Sequence, residues 1–281
     1  MFSLQNFVFA QCSDAGVCSI GGHTEEAHTG SVTIGYTLGS SGKPDNVTFH
    51  TVSARGNFAL GRGFTVDVSI PYNFQNGEVI KTSGIGDLMA IFSKSFDVNK
   101  EVALTVSLGA VVPTGEVDLG GYAPQIYQSS QGSFDVLGGI GLTYHSFDAS
   151  LGVQIPTTRS KNKFDEIKRA PDLMLRGGYS FALGKVDLKA EAILIKRLGL
   201  STVYDRWWPL LSGGNLTTGS RYIDDPGSDQ LQFNLGLSAS TMISKQIRLS
   251  AYAAAPLLKR DNNTDGLKRS FTLSLGLGYM F

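Results

Sequence analysis

The sequence predicts an all-β protein: a membrane-spanning, antiparallel, up-and-down β-barrel of about twelve strands over residues 29–281. Three observations carry that reading. No stretch approaches the roughly 18 consecutive apolar residues that a membrane helix needs, so helical spans are excluded. Mean hydropathy is zero although 42% of the residues are hydrophobic, the balance expected when only every second side chain must meet lipid. Finally, apolar residues alternate with small or polar ones through segment after segment, the period of a strand whose two faces see different media.

In chain order the predicted strands are 29–38, 47–60, 63–74, 84–96, 101–112, 132–144, 147–155, 172–182, 186–197, 230–243, 246–257 and 271–281. Glycines inside strands, such as Gly138, Gly139 and Gly141, relieve crowding or permit a bend. The later segments show the pattern best. Leu173, Leu175, Tyr179 and Phe181 alternate with Asp172, Arg176 and Ser180, and Val186, Leu188, Ala190, Ala192 and Leu194 with Asp187, Lys189 and Glu191. Leu231, Phe233, Leu235, Leu237 and Ala239 oppose Gln230, Gln232, Asn234, Ser238 and Ser240; Ile247, Leu249, Ala251, Ala253, Ala255 and Leu257 oppose Gln246, Arg248, Ser250 and Tyr252. In the last strand Phe271, Leu273, Leu275, Leu277, Tyr279 and Phe281 share one face, with Thr272, Ser274, Gly276, Gly278 and Met280 on the other. An aromatic C-terminal residue suits a membrane interface, and such a strand resembles those by which outer-membrane barrels are recognised for assembly.

Connections alternate short and long. The short ones lie at Leu60–Gly63, Asp97–Lys100, His145–Ser146, Ala182–Lys185 and Ile243–Lys245; the long ones at 39–46, 75–83, 113–131, 156–170, 198–229 and 258–269. Barrels of a Gram-negative outer membrane carry short periplasmic turns and long external loops, so both termini are expected on the periplasmic side. The expected partners are outer-membrane lipid, the outer-membrane assembly machinery and a small-molecule substrate. The 24 Lys and Arg residues balance 24 Asp and Glu, which leaves no basic field for nucleic acid.

Residues 1–10, MFSLQNFVFA, read as the remnant of a signal peptide, with Val8 and Ala10 in small-residue cleavage positions. Residues 11–28 read as a periplasmic segment in which Cys12 and Cys18 form a disulfide. His23 and His28 follow, but the spacing fits no standard zinc module, and neither a metal nor a cofactor is expected.

By alternation the lumen receives Arg55, Asp67, Asp87, Asp135, Asp148, Asp172, Arg176, Asp187, Lys189, Glu191 and Arg248. Arg55, Arg176, Lys189 and Arg248 are expected to face Asp67, Asp87, Asp187 and Glu191, either lining a narrow polar passage or closing the space with crossed ion pairs. Aromatic residues in the external loops, Tyr122, Tyr127, Tyr204, Trp207, Trp208 and Tyr222, would either stack on a substrate at the entrance or join the interfacial girdle.

The runs SIPYNF at 69–74, SGIGDLMAIFSKSF at 83–96, VVPTGEVD at 111–118 and LGVQIPT at 151–157 resemble strand-end motifs of the phenol meta-degradation family of outer-membrane transporters. The resemblance covers most of 45–157; the second half matches in architecture alone. It implies a barrel that passes small hydrophobic or aromatic compounds across the outer membrane. Gly84, Gly86 and Asp87 match one motif, for which a structural role is expected, with Asp87 turned inward toward an arginine. The expected function is therefore an outer-membrane channel or transporter. The alternatives are a structural or adhesive barrel and, third, a lipid-modifying enzyme. The last is disfavoured because the four histidines form no serine–histidine arrangement and no Gly-x-Ser-x-Gly elbow is present.

Overall fold

A computed structural model describes residues 29–205 and 221–281, and within them the chain forms a closed antiparallel barrel. Its strands are β1 (Gly30–Ser40), β2 (Thr48–Gly61), β3 (Phe64–Asn76), β4 (Lys81–Ile85), β5 (Leu88–Asp97), β6 (Val102–Val112), β7 (Asp135–Tyr144), β8 (Phe147–Pro156), β9 (Asp172–Leu183), β10 (Val186–Arg197), β11 (Thr202–Tyr204), β12 (Tyr222–Asp224), β13 (Leu231–Met242), β14 (Ile247–Leu258) and β15 (Phe271–Met280). β4 and β5 both pair with β3, one above the other, and so make one interrupted stave; β11 and β12 form a separate ribbon. Twelve staves remain. The first and last close the ring, from Ser31 opposite Met280 to Ser40 opposite Phe271. The expected signal remnant at 1–10, the segment 11–28 and the Cys12–Cys18 disulfide lie outside the described residues.

Sequence alternation becomes the two faces of the wall. On β15 exposed Phe271, Leu273, Leu275, Leu277 and Tyr279 alternate with buried Thr272, Ser274, Gly276, Gly278 and Met280. Leu275 is 59% exposed and Ser274 3%, the reverse of a water-soluble barrel. Aromatic rings gather toward both rims of the outer wall. At the rim with short turns Phe58 meets Phe281, Phe64 meets Phe92, and Phe147 meets Tyr179, with centroids 6.3, 5.2 and 4.6 Å apart. At the other, Tyr72 lies 5.0 Å from Phe74; further down the wall, opposite Leu275, Tyr36 has its hydroxyl 2.6 Å from His50 Nδ1. Two such bands mark the levels at which the wall leaves hydrocarbon for the polar interface.

The short turns are closed by local backbone geometry. Between β2 and β3 the run Gly61, Arg62, Gly63 has φ values of 81°, 53° and 75°, the left-handed conformations that tight hairpins require and that glycine adopts without steric cost.

Two strand starts differ by more than two residues from the sequence reading. The strand expected at 84–96 is interrupted at Gly86–Asp87, and its chain starts pairing at Lys81, so the expected loop 75–83 shrinks to residues 77–80. The interruption is a seat for the Pro113–Thr114–Gly115 turn. Thr114 Oγ1 donates to the Gly86 carbonyl at 2.8 Å, and a Cβ on Gly115 would stand 2.0 Å from the Ile85 carbonyl oxygen. Likewise the strand expected from 132 begins at Asp135, because the residues before it belong to a loop folded into the barrel mouth.

Candidate functional site: a layered lumen

The loop between β6 and β7 enters the mouth because strand side chains capture its backbone. Asn73 and Gln75, on the inner face of β3, donate to the Ser129 and Gln128 carbonyls at 2.9 and 3.0 Å. Thr82 donates to the Tyr127 carbonyl, and the Gln131 N–H donates to Asp87 Oδ2 at 2.8 Å. Residues 125–131 are buried throughout, including a single 3-10 turn at Gln125–Tyr127. Tyr127 is 4% exposed and packs with Val47, Phe49, Ala123 and Ile126. The reading of Tyr127 as an external aromatic is therefore corrected: loop folding has placed its ring in a small core.

Around this loop lies an ionic layer. Asp172 on β9 stands opposite Arg197 on β10, whose Nε and Nη2 donate to its two carboxylate oxygens at 3.0 and 2.9 Å. Arg197 Nη1 reaches Asp265, in the loop between β14 and β15, at 2.7 Å. Arg260 of the same loop lies 3.4 Å from both Asp172 and Asp265, while Arg169 pairs with Asp135, which also accepts from Ser133 Oγ at 2.6 Å. All of these charged side chains are at most 5% exposed, so desolvation makes each partner costly to lose. Burial alone would raise the Asp265 carboxyl, but Arg197 and Arg260 more than offset it and hold it at about 2. Burial lowers Arg260, aided by the neighbouring Arg197 and Arg169 and opposed by Asp265 and Asp172.

One step further along the strands the wall turns apolar. Ile91, Val111, Leu137, Met174, Ile193 and Ile195 form one cluster, each at most 3% exposed, with Met89 packed against it. The register places it: Met174 opposite Ile195 is the next inward pair after Asp172–Arg197.

Beyond it lies a second charged layer. Arg176 stands opposite Ile193 and Ser150, Lys189 pairs with Asp148 at 2.9 Å, and Glu191 accepts from the Tyr252 hydroxyl at 2.7 Å. Tyr252 lies flat along the wall because Gly236 is beneath it; a Cβ there would meet its hydroxyl at 2.5 Å. Arg55 pairs with Asp67 at 2.9 Å, Arg248 is buried opposite Gly278, and Asp187 is half-buried opposite Ser240. Lys189 thus pairs with a carboxylate outside the expected facing set, and Glu191 with a tyrosine.

Of the remaining loop aromatics, Tyr122 is exposed and meets Phe164 edge-on at 5.2 Å. Tyr204 and Tyr222 face each other across the β11–β12 ribbon, with the Arg159 guanidinium 3.7 Å above the Tyr222 ring. The Tyr222 hydroxyl donates to Glu166 at 2.6 Å, and burial together with this bond raises its pKa. Trp207 and Trp208 lie outside the described residues.

Sequence reasoning missed Arg169, Arg197, Arg260 and Asp265, and the apolar layer. Arg197, Ile195 and Ile193 were accessible, since all three share the parity of inward Glu191 and Lys189. Arg169, Arg260 and Asp265 sit in loops, where no periodicity fixes direction.

No protein-family model matches the chain, and no curated protein matches it. Among solved structures it is similar to the COG4313 outer membrane channel from Pseudomonas putida F1, at 13% identity over 92% of this chain and 97% of that one, with a TM-score of 0.67. It is also similar to the NanC porin, at 9% identity over 90% of this chain and 98% of that one, with a TM-score of 0.51. At these identities the likeness shows a shared fold.

Proposed function

We propose that the chain is a channel of the bacterial outer membrane that passes small hydrophobic or aromatic molecules, with its short turns and both termini on the periplasmic side. The observation that carries this reading is the apolar layer of Ile91, Leu137, Met174, Ile193 and Ile195 between the two charged layers of the lumen. A passage serving sugars gains from hydrogen-bonding groups at every level; a band of branched aliphatic and thioether side chains favours solutes with apolar surface. The outward face supports the membrane setting, and the COG4313 channel and the NanC porin supply a precedent for transport on this fold.

A catalytic role has less support. His50 is engaged by Tyr36 on the outer wall and His145 lies 3.5 Å from Glu101 at a turn, so among the described residues no histidine faces the lumen as a base.

The test is flux through vesicles with one lipopolysaccharide leaflet, with and without the protein. A radiolabelled alkylbenzene is expected to enter severalfold faster with protein, and arabinose at the background rate. Equal acceleration of both would make the lumen an open polar pore. Acceleration of neither would leave a structural or adhesive barrel.

A further inference from the structure

The ionic layer of the mouth is unevenly satisfied. Arg197 is held by three contacts between 2.7 and 3.0 Å, whereas Arg260 has two ionic contacts of 3.4 Å to the same aspartates. Arg260 Nε and Arg169 Nη1 are buried and have no acceptor among the described residues. A guanidinium presents five N–H donors in a rigid planar fork that matches a carboxylate, and a buried donor without an acceptor is disfavoured. The unmet donors belong to guanidiniums that pair with Asp172 and Asp135, which border the apolar layer in register, and with Asp265 in the loop between β14 and β15.

Register gives the spacing. From Asp172–Arg197 the next inward pair, Met174–Ile195, lies two residues down the strands, about 7 Å away; Arg176, beside Ile193, ends the apolar stretch on β9 at about 13 Å. Leu137 borders the same step, because it stands opposite Gln154, which in turn stands opposite Asp172. The strand aspartates that these guanidiniums pair with, Asp172 and Asp135, therefore stand next to an apolar stretch about as deep as a phenyl ring with a short linker.

We propose that the mouth binds an amphipathic organic anion, with its carboxylate on Arg260 and Arg169 and its apolar body against Leu137, Met174 and Ile195. The inference rests on the channel reading and names the permeant class that the lumen selects. The carboxylate is the recognised end. A polar body loses its hydrogen bonds on the apolar layer, and a neutral aromatic leaves the guanidinium donors unmet.

Calorimetric titration of the full chain in detergent tests it with three probes: 3-phenylpropionate, its neutral amide, and glucuronate. The first is expected to bind about tenfold or more tightly than either of the others, as a charge-assisted bond and a buried ring each contribute. In Arg260→Lys, which keeps the positive charge, the preference for acid over amide is expected to fall severalfold. Amide binding equal to acid, glucuronate binding as tight as 3-phenylpropionate, or an unchanged acid-to-amide ratio in the variant would each overturn the proposal. Should the variant fail to fold, the three wild-type affinities decide by themselves. Failure of the channel reading is distinct: it appears as absent alkylbenzene flux, whereas failure of this inference alone leaves that flux intact.

Discussion

The outer and inner walls of the same strands obey different rules. Outward positions on β9, β10 and β15 are uniformly apolar or small except near the rims, because one medium, the acyl chains, covers them all. Inward positions change character along a single strand: on β10, Arg197, Ile195, Ile193, Glu191 and Lys189 pass from ionic to apolar and back to ionic. A uniform solvent yields a uniform face. A lumen must pack, pair and select at once, so each level is composed separately.

The comparison can be broken on either wall. Largest is the expected effect of Asp172→Ala, which leaves Arg197 and Arg260 buried with a partner removed and should cost about 3–5 kcal/mol in urea refolding. Next is Leu275→Arg on the outer wall, expected to cost about 2–4 kcal/mol near the bilayer midplane, with Ser274→Ala close to neutral. Reversal of that pair would invert the faces. A third change sharpens the distinction within the lumen: Met174→Gln buries an amide among Ile91, Leu137 and Ile193 and should cost about 1–3 kcal/mol in refolding while lowering alkylbenzene flux severalfold.

The smallest expected effect is that of acid on the loop clamp. Asp265 is held at about 2, below its ordinary value of 3.8, so its contribution to stability is present above about pH 4 and is lost as pH falls toward 2. Single-channel conductance is expected to stay flat from pH 7 to about pH 4 and to shift below that. A shift centred near pH 6 would assign the clamp to another group.

Much of the barrel was legible because period two carries direction. Once Leu273, Leu275 and Leu277 are outward, Ser274 and Gly276 must be inward, and register propagates this from strand to strand. The apolar inner layer was harder to see, since Ala192, Ile193, Leu194 and Ile195 are apolar on both parities and blend into one hydrophobic run. The loops were illegible for another reason. Tyr127 and Arg260 take their positions from hydrogen bonds and ion pairs to residues far away in sequence, such as Thr82 and Asp172, and nothing local announces them. The Gly84-x-Gly86-Asp87 run stood out in sequence as a motif, and its role as the seat of the Pro113–Gly115 turn follows from two segments meeting in space.

The most direct measurement places a fluorophore at each position from 271 to 280 in turn, in a background lacking Cys12 and Cys18, and compares quenching by brominated lipid with quenching by a water-soluble ion in vesicles. Lipid quenching is predicted at Leu273, Leu275 and Leu277 with little at Thr272, Ser274 and Gly276, a period of two along the strand. Lipid quenching confined to the even positions, or uniform along the segment, would contradict a wall that turns its apolar face to the membrane.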